Sequence, residues 1–172
     1  MIHEAELIRR IHDAWSGAKY SAEIDEALRT WTPQPEEREA QACFLGKDWQ
    51  QIPQSVLLAQ CPAPTLIGRL PMSYYLPAFL LAALATRSAV DSDLMGFLVD
   101  FRLRPPKKED AFARFCWEHS LLSARQREAV ADFLRFCRDS CYNSDHEFAR
   151  RIVRRINDSI ERYWGKDVLP AG

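Results

Sequence analysis

The sequence predicts an all-α protein: a single-domain bundle of about seven or eight helices around a central apolar helix at about residues 71–87. Three observations predict it. Apolar residues recur at i, i+3, i+4 and i+7 in one window after another. Helix start and stop signals, such as Ser123-x-x-Gln126 and Gly165, bracket those windows. No window combines sustained period-two alternation with turn signals, so no strand is expected.

Residues 2–16 place Leu7, Ile8, Ile11 and Trp15 on one helix face, and Gly17 ends the run. Ser21 caps a second, short helix with Ile24, Leu28 and Trp31 along one side, which Pro33 and Pro35 break. Glu36, Glu37 and Glu39 open a third, where carboxylates suit the positive end of the helix dipole, and it runs through Cys43 and Phe44 to Gly46. Residues 46–53 form a turn. Pro53 sits in the first turn of a helix carrying Val56, Leu57 and Leu58, and Cys61-Pro62-Ala63-Pro64 ends it. Residues 65–70 read as an irregular connection.

The run Tyr74–Ala85 is the most apolar in the chain, and every plausible fold must bury it. From Pro77 to Thr86 it is apolar nearly all round, as a helix at the centre of a bundle is. Pro77 removes one backbone donor within it and is expected to kink the helix or divide it. Asp91 or Ser92 caps the next helix, with Leu94, Phe97, Leu98 and Phe101 inward, and Arg104-Pro105-Pro106-Lys107-Lys108 is a linker. Phe112, Phe115, Cys116 and Leu122 mark an aromatic-rich helix. Ser123-x-x-Gln126 opens one with Val130, Phe133, Leu134, Cys137 and Cys141 on one face. Ser144-x-x-Glu147 repeats the pattern for the last helix, which places Phe148, Ile152, Val153, Ile156, Ile160, Tyr163 and Trp164 on one side. Residues 1–35 read as an N-terminal helical extension, 36–164 as the core and 165–172 as a tail.

Composition narrows the function classes. With 23 Lys and Arg against 24 Asp and Glu, the net charge of −1 supplies no global field for nucleic acid or anionic lipid. The six glycines do not cluster, so there is no Gly-rich phosphate loop. Five cysteines is an odd number in a chain too long for a disulfide mini-fold, which points to reduced thiols and a cytoplasmic location. Met1 to Arg10 carries Glu4 and Glu6 and lacks an apolar stretch, so no secretory signal is expected there. No charge falls between Arg69 and Arg87, but as a helix that window spans about 26 Å, short of a hydrocarbon core of about 30 Å. No membrane span is expected.

Three pieces carry a resemblance: Gly46-Lys47-x-Trp49-x-x-Ile52-Pro53, then Tyr74-Tyr75-Leu76-Pro77-Ala78-Phe79-Leu80, then Phe115 with Ser123-x-x-Gln126-x-x-x-Val130-x-x-Phe133-Leu134-x-Phe136. Together they resemble an uncharacterised family of small bacterial helical proteins with a Tyr-Leu-Pro-Ala core, over roughly residues 40–140. The resemblance implies a compact helical protein of the bacterial cytosol. It carries no activity and no site residues across. Some such proteins sit beside secreted-toxin systems, so it also implies an immunity or adaptor role.

The reading favoured is a non-enzymatic protein-binding protein with no cofactor. Trp49, Tyr74 and Tyr75 are candidate interface anchors, set against a packing role in which each polar tip is tied to a backbone group. The last helix carries Arg150, Arg151, Arg154, Arg155 and Arg162 opposite its apolar face, beside Asp158 and Glu161. Arg150, Arg151 and Arg154 are the candidate contacts to an acidic partner, against a solvated face with pairs such as Arg154–Asp158. Nucleic acid is a third reading through the same arginines. The runner-up is a metal protein or enzyme: Cys116-x-x-His119 and Cys137-x-x-x-Cys141 on two facing helices would make a Cys₃His tetrahedron. Against it, buried Cys is common as a small hydrophobe.

Overall fold

A computed structural model describes residues 2–30, 38–60, 62–86, 93–141 and 147–166. Every regular element among them is helical: α1 (Glu4–Trp15), α2 (Ala22–Thr30), α3 (Arg38–Phe44), a 3₁₀ turn (Trp49–Gln51), α4 (Gln54–Ala59), α5 (Ala63–Leu66), α6 (Arg69–Ala85), α7 (Asp93–Phe97), α8 (Glu109–His119), α9 (Ala124–Cys141) and α10 (Glu147–Ser159). α7 and α10 each run on into a π turn, Leu98–Arg102 and Ile160–Trp164. Among the positions read from the sequence, Trp31, Pro33, Pro35, Glu36, Glu37, Cys61, the Asp91 or Ser92 cap, the Ser144 cap and the tail beyond Lys166 lie outside the described residues, as do the side chains of Glu39, Cys141 and Phe148.

α6 is the axis. α1, α2, α4, α5, α7, α8 and the 3₁₀ turn all pack on it. Tyr75, Phe79, Leu80 and Ala83 are fully buried, and all but a few of its residues are enclosed. Gly68, at φ 74°, stands just ahead of the first turn in a conformation that side chains with a Cβ resist. The helix therefore starts at Arg69, two residues before the Pro71 that the sequence suggested. The single turn α5 spans the end of the Cys61–Pro64 stop signal and the start of the stretch 65–70 read as irregular.

Pro77 does not divide the helix: α6 is one element from Arg69 to Ala85, and because Pro77 has no N–H, the carbonyl of Ser73, four residues earlier, loses its helical donor. The indole Nε1–H of Trp15 donates to that carbonyl at 3.0 Å. The gap left by the proline is thus filled from α1. α1, part of the segment 1–35 read as an extension, is built into the bundle: Leu7, Ile11 and Trp15 are buried, and Arg10 reaches Asp132 on α9 at 2.7 Å.

Two sequence signals form as expected. The Ser123–Gln126 capping box is reciprocal, at 2.9 and 3.2 Å, and Ser21 Oγ accepts from the Ile24 amide at 3.3 Å. A second box, Asp48 with Gln51, opens the 3₁₀ turn; the sequence reading took that segment only as a turn. Phe101 is a correction. Read as inward, it is 66% exposed. The Leu103 amide donates to the Leu98 carbonyl at 2.7 Å, five residues back, so the turn holds one residue more than an α turn. Past Leu98 the buried positions shift to Val99, Arg102 and Leu103, and Phe101 rotates out. The second π turn closes the same way, Gly165 N–H to Ile160 O at 2.8 Å. A Cβ on Gly165 would stand 2.8 Å from both that oxygen and the Ile160 side chain, so only glycine fits.

Leu80→Ala is expected to lower the unfolding free energy by about 2–5 kcal/mol in urea titration, and half-buried Leu81→Ala by less. A loss below about 1 kcal/mol at Leu80 contradicts the central placement of α6. Trp15→Phe strands the Ser73 carbonyl, so it should cost more in the wild type than in a Pro77→Ala background, where the introduced alanine supplies the missing amide. A double-mutant cycle should return a coupling of about 1 kcal/mol, and additivity would refute the pairing.

Candidate binding face

The aromatic candidates are core residues. Trp49 is buried with its ring 5.5 Å from that of His12. The Tyr75 hydroxyl lies 2.6 Å from the Phe44 carbonyl and 2.8 Å from that of Lys47, and the Tyr74 hydroxyl donates to Asp48 Oδ1 at 2.6 Å. Burial, reinforced by Asp48, pushes the Tyr74 hydroxyl well above its usual range, so it stays a donor. As surface anchors these three are withdrawn: all three rings are buried, and the hydroxyls of Tyr74 and Tyr75 are engaged inside the protein.

The Cys/His set does not assemble a ligand cage. Among the described residues there is no group of three His, Cys, Asp or Glu side chains placed to hold a metal, so Cys116, His119 and Cys137 do not converge. The side chain of Cys141 lies outside the described residues. Burial pushes the Cys116 thiol up, the reverse of an activated nucleophile. His119 is 2% exposed, and its Nδ1–H donates to the Phe115 carbonyl at 2.8 Å. That bond fixes the tautomer, and Nε2 has no hydrogen-bond partner among the described residues. The rings of Phe115 and Trp164 stand 4.2 and 5.1 Å away. Burial first, then the Arg102 guanidinium, drives the imidazole down to about 3, so it is neutral. Arg102 itself is buried and pairs with Glu118 at 3.1 Å.

The arginines of α10 divide. Arg150, Arg151 and Arg154 are exposed. Arg155 turns to Asp100 in the first π turn and forms an ion pair with it. Arg162, read as part of the outer face, donates to the carbonyls of Pro105 and Pro106 at 2.7 and 2.6 Å. Trp164 Nε1–H donates to Leu103 O at 2.7 Å. The segment read as a linker is thus strapped to the end of α10. The anticipated Arg154–Asp158 pair is absent among the described residues. Asp158 instead meets Arg162 at 3.6 Å and Arg104 at 4.0 Å, charge contacts too long for hydrogen bonds.

This strapping shapes two adjoining clefts. One, of about 420 Å³, has Phe101, Pro105, Pro106 and Phe115 among its lining and Arg114 and Glu118 on α8. The other, of about 400 Å³, is lined by Arg104, Lys107, Arg151, Arg154, Arg155 and Asp158. Arg104 and Lys107 belong to both, so the clefts share a wall. Lys107 and Arg154 are exposed and have no ion-pair partner among the described residues. Sequence reasoning named Arg151 and Arg154 but missed Phe101, Arg104 and Lys107. The paired prolines between basic residues were the available signal; the π turn leaves none.

The profile of a family of unknown function, DUF6714, matches residues 3–168. The chain belongs to DUF6714. The match is wider than the 40–140 stretch carrying the motifs, and it takes in α1 and α10, which lie outside that stretch. No curated protein and no solved structure matches the chain significantly. Among the described residues no helix is long and apolar enough to cross a membrane.

The buried imidazole of this DUF6714 member makes it acid-sensitive. His119 takes a proton near pH 6.5 when unfolded but near 3 when folded, so the folded state binds fewer protons in between. Its contribution is complete above about pH 6.5 and is lost as the pH falls towards 3, by up to about 1.4 kcal/mol per pH unit. Urea titrations at pH 7.5 and 5 should show a smaller decline for His119→Phe than for the wild type. Equal declines would mean that His119 is not held neutral.

Proposed function

We propose that the chain is a non-enzymatic binding protein that docks an acidic segment of another protein on the face formed by Arg104–Lys107 and α10. One observation carries the reading. Five cations and a single carboxylate line one cleft, and two of those cations, Lys107 and Arg154, stand exposed without a counter-ion among the described residues. In a chain of net charge −1 that is a local excess, and carboxylates supplied by a partner complement it. Arginine and lysine here serve as contacts a partner can reach, whereas Arg155 and Arg162 hold the face in shape.

The setting is that of an adaptor or immunity-type protein in a bacterial cytosol. The resemblance in the Tyr-Leu-Pro-Ala core supports it, as do the unbridged thiols of Cys43 and Cys116, which suit a reducing compartment.

The test is capture of a partner from the host's own lysate by the wild type and by the double variant Lys107→Glu/Arg154→Glu. Both positions are exposed, so the variant should keep the wild-type thermal midpoint within a few degrees. A stoichiometric protein partner retained by the wild type and lost by the variant is the expected result. Equal retention by both would remove this face, and retention of nucleic acid in place of protein would replace the reading.

A further inference from the structure

We infer that the two adjoining clefts read a bipartite segment: one aromatic or large aliphatic side chain seated in the Phe101–Pro105–Pro106 cleft, followed or preceded within a few residues by carboxylates in the arginine cleft. This rests on the acidic-partner reading and adds the apolar anchor to it.

Phe101 and the two prolines give the anchor cleft apolar surface beside Asp100, Arg114 and Glu118. Phe101 is 66% exposed, yet it is not loose. The five-residue hydrogen bond from Leu103 to Leu98 fixes its turn, and the Phe97 ring packs beside it at 5.3 Å. The prolines next to it are held from the α10 side, both carbonyls being taken by Arg162. The Leu103 carbonyl is taken by Trp164. Proline loses little conformational freedom when covered, so contact with the two prolines is effective per unit area. An enclosed space of about 150 Å³ holds a benzene ring, so about 420 Å³ has room for a large side chain together with neighbouring backbone.

The order of chemistry along the groove is set by Arg104 and Lys107, which line both clefts. A segment crossing from one to the other passes these two cations. An extended chain covers about 3.3–3.6 Å per residue, so apolar anchor and carboxylates need be only a few residues apart. Nucleic acid fits less well. Asp100, Glu118 and Asp158 stand among the cations, and a backbone carrying a phosphate at every nucleotide would meet them. Discrete carboxylates can be placed between them.

Two labelled peptides test the inference by fluorescence anisotropy: one with a phenylalanine two residues from a run of four glutamates, in either order, and a twin with alanine in place of that phenylalanine. The phenylalanine peptide should bind the wild type about tenfold more tightly than its twin. Phe101→Ala, at a position already exposed, should erase that difference while leaving the twin's affinity unchanged. Lys107→Glu/Arg154→Glu should weaken both peptides together. Equal binding of the two peptides by the wild type would overturn the bipartite reading and leave the charged face standing. Failure of both peptides to bind, or tighter binding of a labelled oligothymidine, would overturn the acidic-partner reading as well.

Discussion

The bond between the Trp15 indole and the Ser73 carbonyl is where the fold is decided. Most of α6 is buried, so water can serve few of its backbone groups once the bundle closes. Pro77 nevertheless leaves one of its carbonyls without the usual donor. An unmet acceptor at that depth costs about 1–3 kcal/mol, a sizeable part of a domain's net stability. Only a side chain with a donor at the end of a large apolar body can reach it while excluding water, and tryptophan is such a residue. α1 is therefore placed by the defect in α6 as well as by its own apolar stripe. α1 in turn covers one side of α9 and carries Arg10 to Asp132.

The same logic explains the paired tyrosines. α6 carries two phenolic hydroxyls into the core, and each needs an acceptor there. They find the Phe44 and Lys47 carbonyls and the Asp48 carboxylate, all at the exit of α3. That exit is also held by the Tyr20 hydroxyl, which accepts from the Gly46 amide at 2.8 Å and donates to Asp25 at 2.8 Å. The turn between α3 and α4 is thus shaped by the needs of the helix beneath it. The tyrosines act as bolts, which is why a surface role for them does not hold.

Much of the fold was legible because its signals are local. Ser21, Pro53 and Ser123–Gln126 act within a turn of their own position, and the burial of α6 is written in its composition. The candidate face was legible only in part. Arg150, Arg151 and Arg154 lie opposite an apolar stripe that any helical wheel reveals. That Arg155 and Arg162 are diverted from that face depends on Asp100, Pro105 and Pro106, more than fifty residues away, and no local pattern encodes such a pairing. Phe101 was misjudged because the 3.6-residue period was carried through a turn that does not keep it. A single extra residue in one turn rotates a side chain from core to solvent, and nothing in Leu98–Arg102 announces it.

Where the cations sit relative to the rest of the charge decides what the face can select. The chain is close to neutral, so at physiological salt, with a screening length of about 8 Å, the cluster is hardly felt beyond its own rim. It cannot gather a polyanion from a distance, as a protein with a strongly basic surface does. Selection must then happen in contact, where shape and desolvation weigh as much as charge. The apolar surface of Phe101 beside the cations supplies that second criterion, because a segment with carboxylates alone leaves Phe101 in water while one with an apolar side chain covers it. The first π turn serves both criteria at once: it turns Phe101 out and brings Asp100 to Arg155, so that anchor and cations share one scaffold.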